Sequence, residues 1–339
     1  MSSLRKLAQL AGVSRTTVAR ALYDDPHVLP ETAQRIRELA ELCHYRPNRL
    51  TQSLFSGKSQ SIGCLMPFVD TVFFSQILRG ILEAAHQNSY HVTIVQTHFQ
   101  MLHTRAALQE LVERRVEGIL IATSHLEPIP MGSLLDMWSH DIVPIAIDST
   151  TNMAGVDHVT TDEQQLAEIA VGYLYHLGHR RIGFVGPRFH GFPSKRMLKV
   201  RQNLRTRGLS TDYCVASEVS PVVEIEQLLR KPNPPTALIT FMDEEAAQAI
   251  LLARRLGIRV PEDLSIMGVG NLNVCDLVDP AITSIEQFPE RIGREAVALL
   301  MQRLQEGGSM KEGQRQPKII ATAPKLIERG SCAPPRADR

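Results

Sequence analysis

The stretch LAQLAGVSRTTVARAL, residues 7–22, decides how the N-terminal end of this chain folds. Together with Leu4, the apolar positions Leu7, Ala8 and Ala11 recur at helical spacing, and Gly12 then breaks the pattern. Val13 follows as a buried turn residue, and Ser14 stands where a hydroxyl caps the next helix. That second helix, about Arg15 to Leu22, buries Val18, Ala19 and Leu22 and turns Arg15, Thr16 and Arg20 outward. Two short helices joined by a tight glycine-containing turn form a helix-turn-helix, whose second helix fits the DNA major groove. Arginine on its leading edge can bond guanine through two N–H groups, and threonine offers both a hydroxyl and a methyl. A third helix, about Pro30 to His44, closes the small core with Ala33, Ile36, Leu39, Ala40 and Cys43, and proline suits its first position. The bland alternative is an arbitrary helical hairpin with a solvated basic face. It does not account for the break, the cap and the period occurring together.

Charge follows the same division. The net charge of +1 hides nine Lys/Arg against five acids in residues 1–60, and 28 basic against 31 acidic residues in the remainder. A basic head on a slightly acidic body suits a polyanion-binding module joined to a part that does not itself adhere to nucleic acid. With 339 residues the chain exceeds one ordinary core, and 43% hydrophobic with 22% charged residues describes a globular protein of two or three folding units. No apolar run approaches the roughly 20 residues of a membrane span, and the N-terminus lacks a signal peptide. A cytoplasmic protein with no membrane association is expected. The five cysteines, Cys43, Cys64, Cys214, Cys275 and Cys332, lie too far apart to form a disulfide framework or a zinc site.

After residue 60 the pattern changes to short apolar runs alternating with amphipathic helices. IGCLMP, HVTIVQ, GILIA and IVPIAID read as strands, with helices at about Phe74–Asn88 and Leu102–Arg114. The alternation resumes with Gln164–Leu177, RIGFVG, Ser194–Arg207, ALITF, Glu244–Leu256, LSIMGV, Pro289–Glu306 and KIIAT. Repeated β-α units mean parallel sheets covered by helices on both faces. A helix and a strand return after the second unit, so the chain crosses between subdomains more than once. In such folds ligands bind at the carboxyl ends of strands, and the cleft between two facing sheets is the default pocket.

Candidate effector residues therefore sit where strands end. Asp148 closes IVPIAID, Asp243 follows ALITFM, and Arg196 begins the helix after RIGFVGP. Two carboxylates and a guanidinium can hold sugar hydroxyls or a charged group by charge-assisted hydrogen bonds. Each has a structural alternative: Asp243 as a helix cap, Arg196 as an ion-pair partner, and Asp162 as a cap rather than a ligand. Phe73 and Phe74 are either an aromatic wall over the pocket or core. No GxSxG elbow, P-loop, HExxH or strand-linked GxGxxG is present, and the spacings of His86, His91, His98 and His103 fit no metal site. An enzyme, a bound metal and a cofactor are all unexpected.

The motif AGVSxxTVxRxL, then HV, YRPNRLTQSL and SIG, resembles the start of the LacI/GalR family of bacterial transcription regulators. Further landmarks carry the resemblance through the whole chain: VTTDEQQLAEIAVGYLYHLGHRRIGFVG, PTALITFMDEEAAQAI, RLGIRVPEDLSIMGVGN, DPAITSIEQ and LIERGS. The resemblance implies an α/β protein: an N-terminal helix-turn-helix DNA-binding domain over 1–57, with a hinge helix at about 48–56. Behind it, over 61–331, it implies a two-subdomain body like the periplasmic binding proteins, which binds an effector and dimerises. A homodimer on a palindromic double-stranded DNA operator follows, gated by a sugar, a sugar derivative or a purine-like effector. A regulator without a small effector or gated by a protein partner, and more remotely a solute receptor, are the competing readings.

By the same resemblance Arg15 and Thr16 lead base reading and Arg20 is a further base contact. Ser14, Thr17 and His27 touch the backbone or groove edge, Tyr45 and Asn48 touch the backbone beside the hinge, and Leu54 wedges into the minor groove. Leu54 packing against the body is the structural alternative. The chain departs from the family at Ala19 (commonly Ser), Tyr23 (commonly Asn) and Leu29 (often a capping Ser or Thr). It also has Gly268-Val269-Gly270-Asn271 where sugar-binding members carry GYD(D/N), so a main hydroxyl-binding carboxylate is absent and Asn271 is the candidate substitute.

Overall fold

Three helices, α1 (Leu4–Ala11), α2 (Arg15–Leu22) and α3 (Pro30–Leu42), enclose a core of small side chains. The computed structural model describes residues 4–22, 25, 27–45, 58–98, 100–122, 129, 131–148, 155–189, 192–218, 220–307 and 316–336, without the side chains of 101, 131, 189 and 192. These fall into two units, one running to Ser61 and including Arg115–Glu117, the other formed by Ile62–Arg114 and the chain from Gly118 onward. In the first, Leu7, Ala8, Ala11, Val18, Ala21, Ala33, Ile36 and Ala40 form the core. Gly12 closes the α1–α2 turn at φ +67°, a left-handed conformation that favours glycine. Arg35 donates from Nη2 to the Ala11 carbonyl at 2.7 Å, satisfying an orphan acceptor at the end of α1. Two expectations need correction. Ala21 is fully buried while Leu22 is only partly so, and α3 ends at Leu42 because His44 takes a positive φ. Leu29 precedes α3 without a side-chain cap.

The second unit opens with β1 (Ser61–Met66), α4 (Val72–Gln87), β2 (His91–Gln96), α5 (Met101–Glu113), β3 (Gly118–Ala122), α6 (Met131–Ser139), β4 (Val143–Ile147) and β5 (Asp157–Thr161). The chain then enters α7 (Glu163–His176), β6 (Ile182–Phe189), β7 (Phe192–Pro193), α8 (Lys195–Thr206), β8 (Cys214–Ser217), α9 (Pro221–Leu229), β9 (Ala237–Thr240) and α10 (Asp243–Arg255). It continues through β10 (Ser265–Val269), α11 (Val274–Leu277), β11 (Thr283–Glu286), α12 (Pro289–Gln305), β12 (Ile319–Thr322) and β13 (Lys325–Ile327). Two sheets result, ordered β12-β5-β4-β3-β1-β2 and β13-β11-β10-β9-β6-β7, with β8 also on β6. The first gains α12 and β12 from late in the sequence. The chain therefore passes between the sheets three times, after β5, after β11 and after β12.

The crossings are tied together. Gln287 donates from Nε2 to Thr161 Oγ1 at 3.0 Å, and Asp162 N donates to the Thr322 carbonyl at 3.0 Å. Helices α4 and α12 share one face of the first sheet, where Ile77, Ile81, Ile292, Ala296 and Leu300 meet Ile62, Cys64, Leu120 and Ile145. They cross backbone to backbone: a methyl on Gly80 would overlap the Glu290 carbonyl, and one on Gly293 would overlap that of Ile77. Arg303 of α12 grips Asp157 of β5 through two hydrogen bonds, 2.6 and 2.8 Å, and the Lys318 amide bonds the same carboxylate. This explains a strand that composition hides: DHVTT is polar yet entirely buried. On the second sheet α7 and α8 cover one face around Phe184, while α9 and α10 cover the other around Leu238 and Ile266.

The end of the chain is also anchored there. His179, almost wholly buried, places Nε2 2.9 Å from the Ala333 carbonyl and Nδ1 2.9 Å from Thr236 Oγ1. A carbonyl only accepts, so Nε2 carries the proton and Nδ1 receives the Thr236 hydroxyl. Burial holds the His179 pKa below its ordinary value. Among the described residues no helix is long and apolar enough to cross a membrane.

Two predictions follow from this packing. Gly80→Ala should destabilise the body by about 1–3 kcal/mol, because overpacking against an unyielding backbone outweighs the propensity gain of roughly 1 kcal/mol. Gly132→Ala in α6 meets no neighbour and should be neutral or mildly stabilising; urea melts of both variants measure the difference. The depressed His179 pKa means that the unfolded chain takes up the proton first as pH falls below about 6.5. Stability from the neutral ring is present above that pH and declines on acidification through the folded value. His179→Gln should flatten this part of the melting-temperature profile, and an unchanged slope between pH 7 and 5 would count against the assignment.

Candidate functional site

The head presents a prepared helix end. Ser14 Oγ accepts from the Thr17 amide at 3.0 Å and lies 2.8 Å from Thr17 Oγ1, so both hydroxyls serve the N-terminus of α2. Arg15, Thr16 and Arg20 are exposed beyond that cap. Asp25 gathers two of the expected contacts: its carboxylate accepts from the His27 amide at 2.9 Å, lies 2.7 Å from His27 Nδ1 and pairs with Arg20 Nε at 3.5 Å. Hydrogen bonds from His27, with Arg20 adding less, hold its pKa below the ordinary carboxylate range. Sequence reasoning passed over Asp25, although an acid beside exposed His and Arg is a readable orienting group. Tyr45 is half-buried against the head core, its amide bonded to Ala40 O at 2.8 Å. Asn48, Leu54, Tyr23 and the hinge at 48–56 lie outside the described residues.

In the body a cavity of about 340 Å³ lies at the carboxyl ends of strands from both sheets. Phe68, Val72, Phe73 and Phe74 contribute from the first sheet's β1–α4 connection, and Asp148 stands at the end of β4. From the second come Arg196, Phe241, Glu244, Glu245 and Leu272, and Gln287 enters from the middle crossing. Phe74 belongs to the core as well, with its ring edge-to-face on Phe73 at 5.5 Å, so wall and core are one structure. Asp148 and Phe288 take positive φ values of 48° and 55° at the ends of the segments that meet here, a conformation ordinary side chains reach only under constraint.

The polar groups differ from expectation in three places. Arg196 lines the cavity, but its guanidinium is bonded to Glu163 at 2.8 and 3.0 Å and to the Phe241 carbonyl at 2.6 Å, above the Phe241 ring. Asp243 neither lines the cavity nor caps α10, whose N-cap is Met242. It is fully buried, accepting from Ser284 Oγ at 2.6 Å and from the Leu272 amide at 2.8 Å, and burial raises its pKa. Asn271 also lies off the cavity wall, its Oδ1 accepting from Arg329 at 2.9 Å. The two glycines of Gly268-Val269-Gly270-Asn271 now have a reason. A side chain at Gly268 would overlap the Asp243 carboxylate, and Gly270, at φ +128°, lies against its other oxygen.

Acids next in sequence reach the cavity instead. Glu245 Oε2 accepts from the Phe241 amide at 2.9 Å, and burial pushes its pKa up to about 7. Glu244 is raised too, chiefly by burial, and its Oε2 has no partner among the described residues. The triplet Asp243-Glu244-Glu245 was visible in the sequence, but which of its members faces the cleft depends on how α10 is rotated. Asp162 caps α7, accepting from the Gln165 amide at 2.9 Å.

Comparison with known proteins gives this geometry its context. Residues 3–48 match the family of bacterial regulatory proteins of the lacI type, and residues 171–332 match a periplasmic binding protein-like domain. The chain is 28% identical over 341 residues to the HTH-type transcriptional repressor PurR of Pectobacterium atrosepticum, covering 98% of this chain and 97% of that one. It is 30% identical over 310 residues to the HTH-type transcriptional repressor CytR of Escherichia coli K12, covering 90% of each. Among solved structures, the lac repressor dimer bound to operator and the anti-inducer ONPF superposes with a TM-score of 0.82 at 21% identity, covering 98% of this chain and 99% of that one. The cellobiose complex of the regulator CelR gives 0.69 at 22%, covering 98% and 100%. With an exposed recognition helix ahead of two strand-end sheets and a relative this similar along both chains, the protein is a DNA-binding transcription regulator with an effector-binding body, and it belongs to the lacI family of bacterial regulatory proteins.

Proposed function

We propose that this regulator represses transcription from a palindromic operator as a homodimer, with a small molecule in the cleft setting its affinity. The observation carrying this reading is the leading face of α2, where Arg15, Thr16 and Arg20 stand exposed behind the Ser14 cap. In this proposal the DNA-binding domain is 1–57 with its hinge at about 48–56, and the effector and dimerisation domain is 61–331. Arg15 and Thr16 read base edges and Arg20, steadied by Asp25, adds a contact. Ser14, Thr17, His27, Tyr45 and Asn48 serve the backbone and groove edge, and Leu54 enters the minor groove. Phe73, Phe74, Asp148 and Arg196 meet the effector, while Asp243 and Asn271 hold the loop behind it. The repressor names of PurR and CytR favour repression, and the work is cytoplasmic.

One head reads only a few base pairs, so two-fold symmetry supplies the remainder. The similar lac repressor is a dimer on its operator. Here Val223, Leu251 and Leu277 are about half or more exposed on α9, α10 and α11, which pack in succession, and that apolar face suits a second copy.

Selection from random duplex DNA with the full chain should return a two-fold symmetric site. Arg15→Ala should cost about 1–3 kcal/mol per contact and relax preference at particular base pairs, read by fluorescence anisotropy on operator variants. A uniform loss across variants would reduce Arg15 to a phosphate anchor. Leu251→Asp combined with Leu277→Asp should shift sedimentation from dimer to monomer without unfolding the chain, and a persistent dimer would move the contact elsewhere.

A further inference from the structure

Resting on the reading of the cleft as the effector site, we infer that the effector is an organic cation, an amine carried on a compact apolar or aromatic body. Arg196 is the only cationic side chain among the described residues lining the cavity, and its donors are already directed to Glu163 and the Phe241 carbonyl. A carboxylate or phosphate on the ligand would have to displace Glu163. Four acids line the same cavity: Asp70, Asp148, Glu244 and Glu245. After the Arg196–Glu163 pair is set aside, the remaining ionisable groups are all carboxyls.

Two polar atoms point to what is missing. Glu244 Oε2 and Thr71 Oγ1 are both buried, and neither has a hydrogen-bond partner among the described residues. Both residues line the cavity, which contributes two of the buried unpartnered side-chain atoms in the described structure. A buried acceptor without a donor is costly, and a buried carboxylate without a counter-charge more so. An ammonium supplies up to three N–H donors and the charge together. The raised pKa values of Glu244 and Glu245 agree with carboxyls that lack such a partner.

The walls select the rest of the molecule. Phe68, Val72, Phe73, Phe241 and Leu272 give the cavity an apolar interior. Neutral polar side chains are few: Thr71 and Gln287 among the described lining residues, and Gln287 already donates to Thr161. A polyol would press several hydroxyls against phenyl rings with nothing to bond them. A volume of about 340 Å³ lies at the small end of ligand sites, which run from roughly 300 to 1,000 Å³.

The test uses the full chain and three molecules of one shape: 2-phenylethylamine, 2-phenylethanol and 3-phenylpropionate, with tryptamine as a second amine and ribose and cellobiose as polyols. Thermal-shift titration followed by calorimetry should show both amines raising the melting temperature with concentration. The alcohol should bind about tenfold more weakly or worse, and the acid and sugars should give no shift. Glu244→Gln combined with Glu245→Gln keeps the acceptor for the Phe241 amide and should erase the preference for amine over alcohol. The wild-type comparison decides the matter even if that variant folds poorly. An alcohol or sugar that binds as well as the amines, or amines that give no shift, overturns the inference. Operator affinity of the same preparation without ligand separates the two readings: intact DNA binding with indifferent amines sinks only the cation, whereas absent DNA binding sinks the regulator.

Discussion

The hydrogen bond from Gln287 to Thr161, buried between two of the three chain crossings, is the constraint around which the body is arranged. Three segments pass between the sheets, and their backbones are joined further by the bond from Asp162 to Thr322. A connection of three tied strands can bend about its own axis more easily than it can shear. The cavity opens beside it, because the strands of both sheets end there and Gln287 itself lines the wall. A ligand touching residues from both sheets therefore acts across the one place where the two halves are covalently and sterically coupled.

Much of this was legible from periodicity. The turn at Gly12, the cap at Ser14 and the span of α2 are local matters, settled by a backbone conformation and one hydroxyl. The β-α alternation was equally plain, since β1, β3 and β4 are apolar runs buried along their length. What escaped is what depends on distant partners. β5 is polar because Asp157 answers Arg303, 146 residues away, and no window along the chain contains both. α9 and β11 were missed for being short. Asp243 and Arg196 were rightly placed at strand ends, yet their side chains turned to internal partners that composition does not reveal.

The family-divergent segment Gly268-Val269-Gly270-Asn271 is best understood with Asp243. The carboxylate that ties Ser284 to Leu272 occupies the space a side chain at 268 would need, and the backbone at Gly270 turns with a positive φ over it. A change at these glycines would therefore displace the buried carboxylate together with the loop that carries Leu272 into the cavity. Recognition at the two ends of the molecule has opposite electrostatic character. The head offers cations on an exposed helix, and the cleft withholds its one guanidinium inside an ion pair.

The late return of α12 and β12 also has a consequence for the order of events during synthesis. The head is complete once α3 has been made, but the first sheet of the body is not complete when β5 is. Its outer edge waits for β12, and the face beneath α4 waits for α12. Until about residue 322 has left the ribosome, a nascent chain carries Asp157 without Arg303 and an apolar sheet face without its cover, while the whole second sheet save β13 is already available to fold. A chain cut short after β11 would thus leave the earlier half as the unfinished one, the reverse of what vectorial folding ordinarily produces.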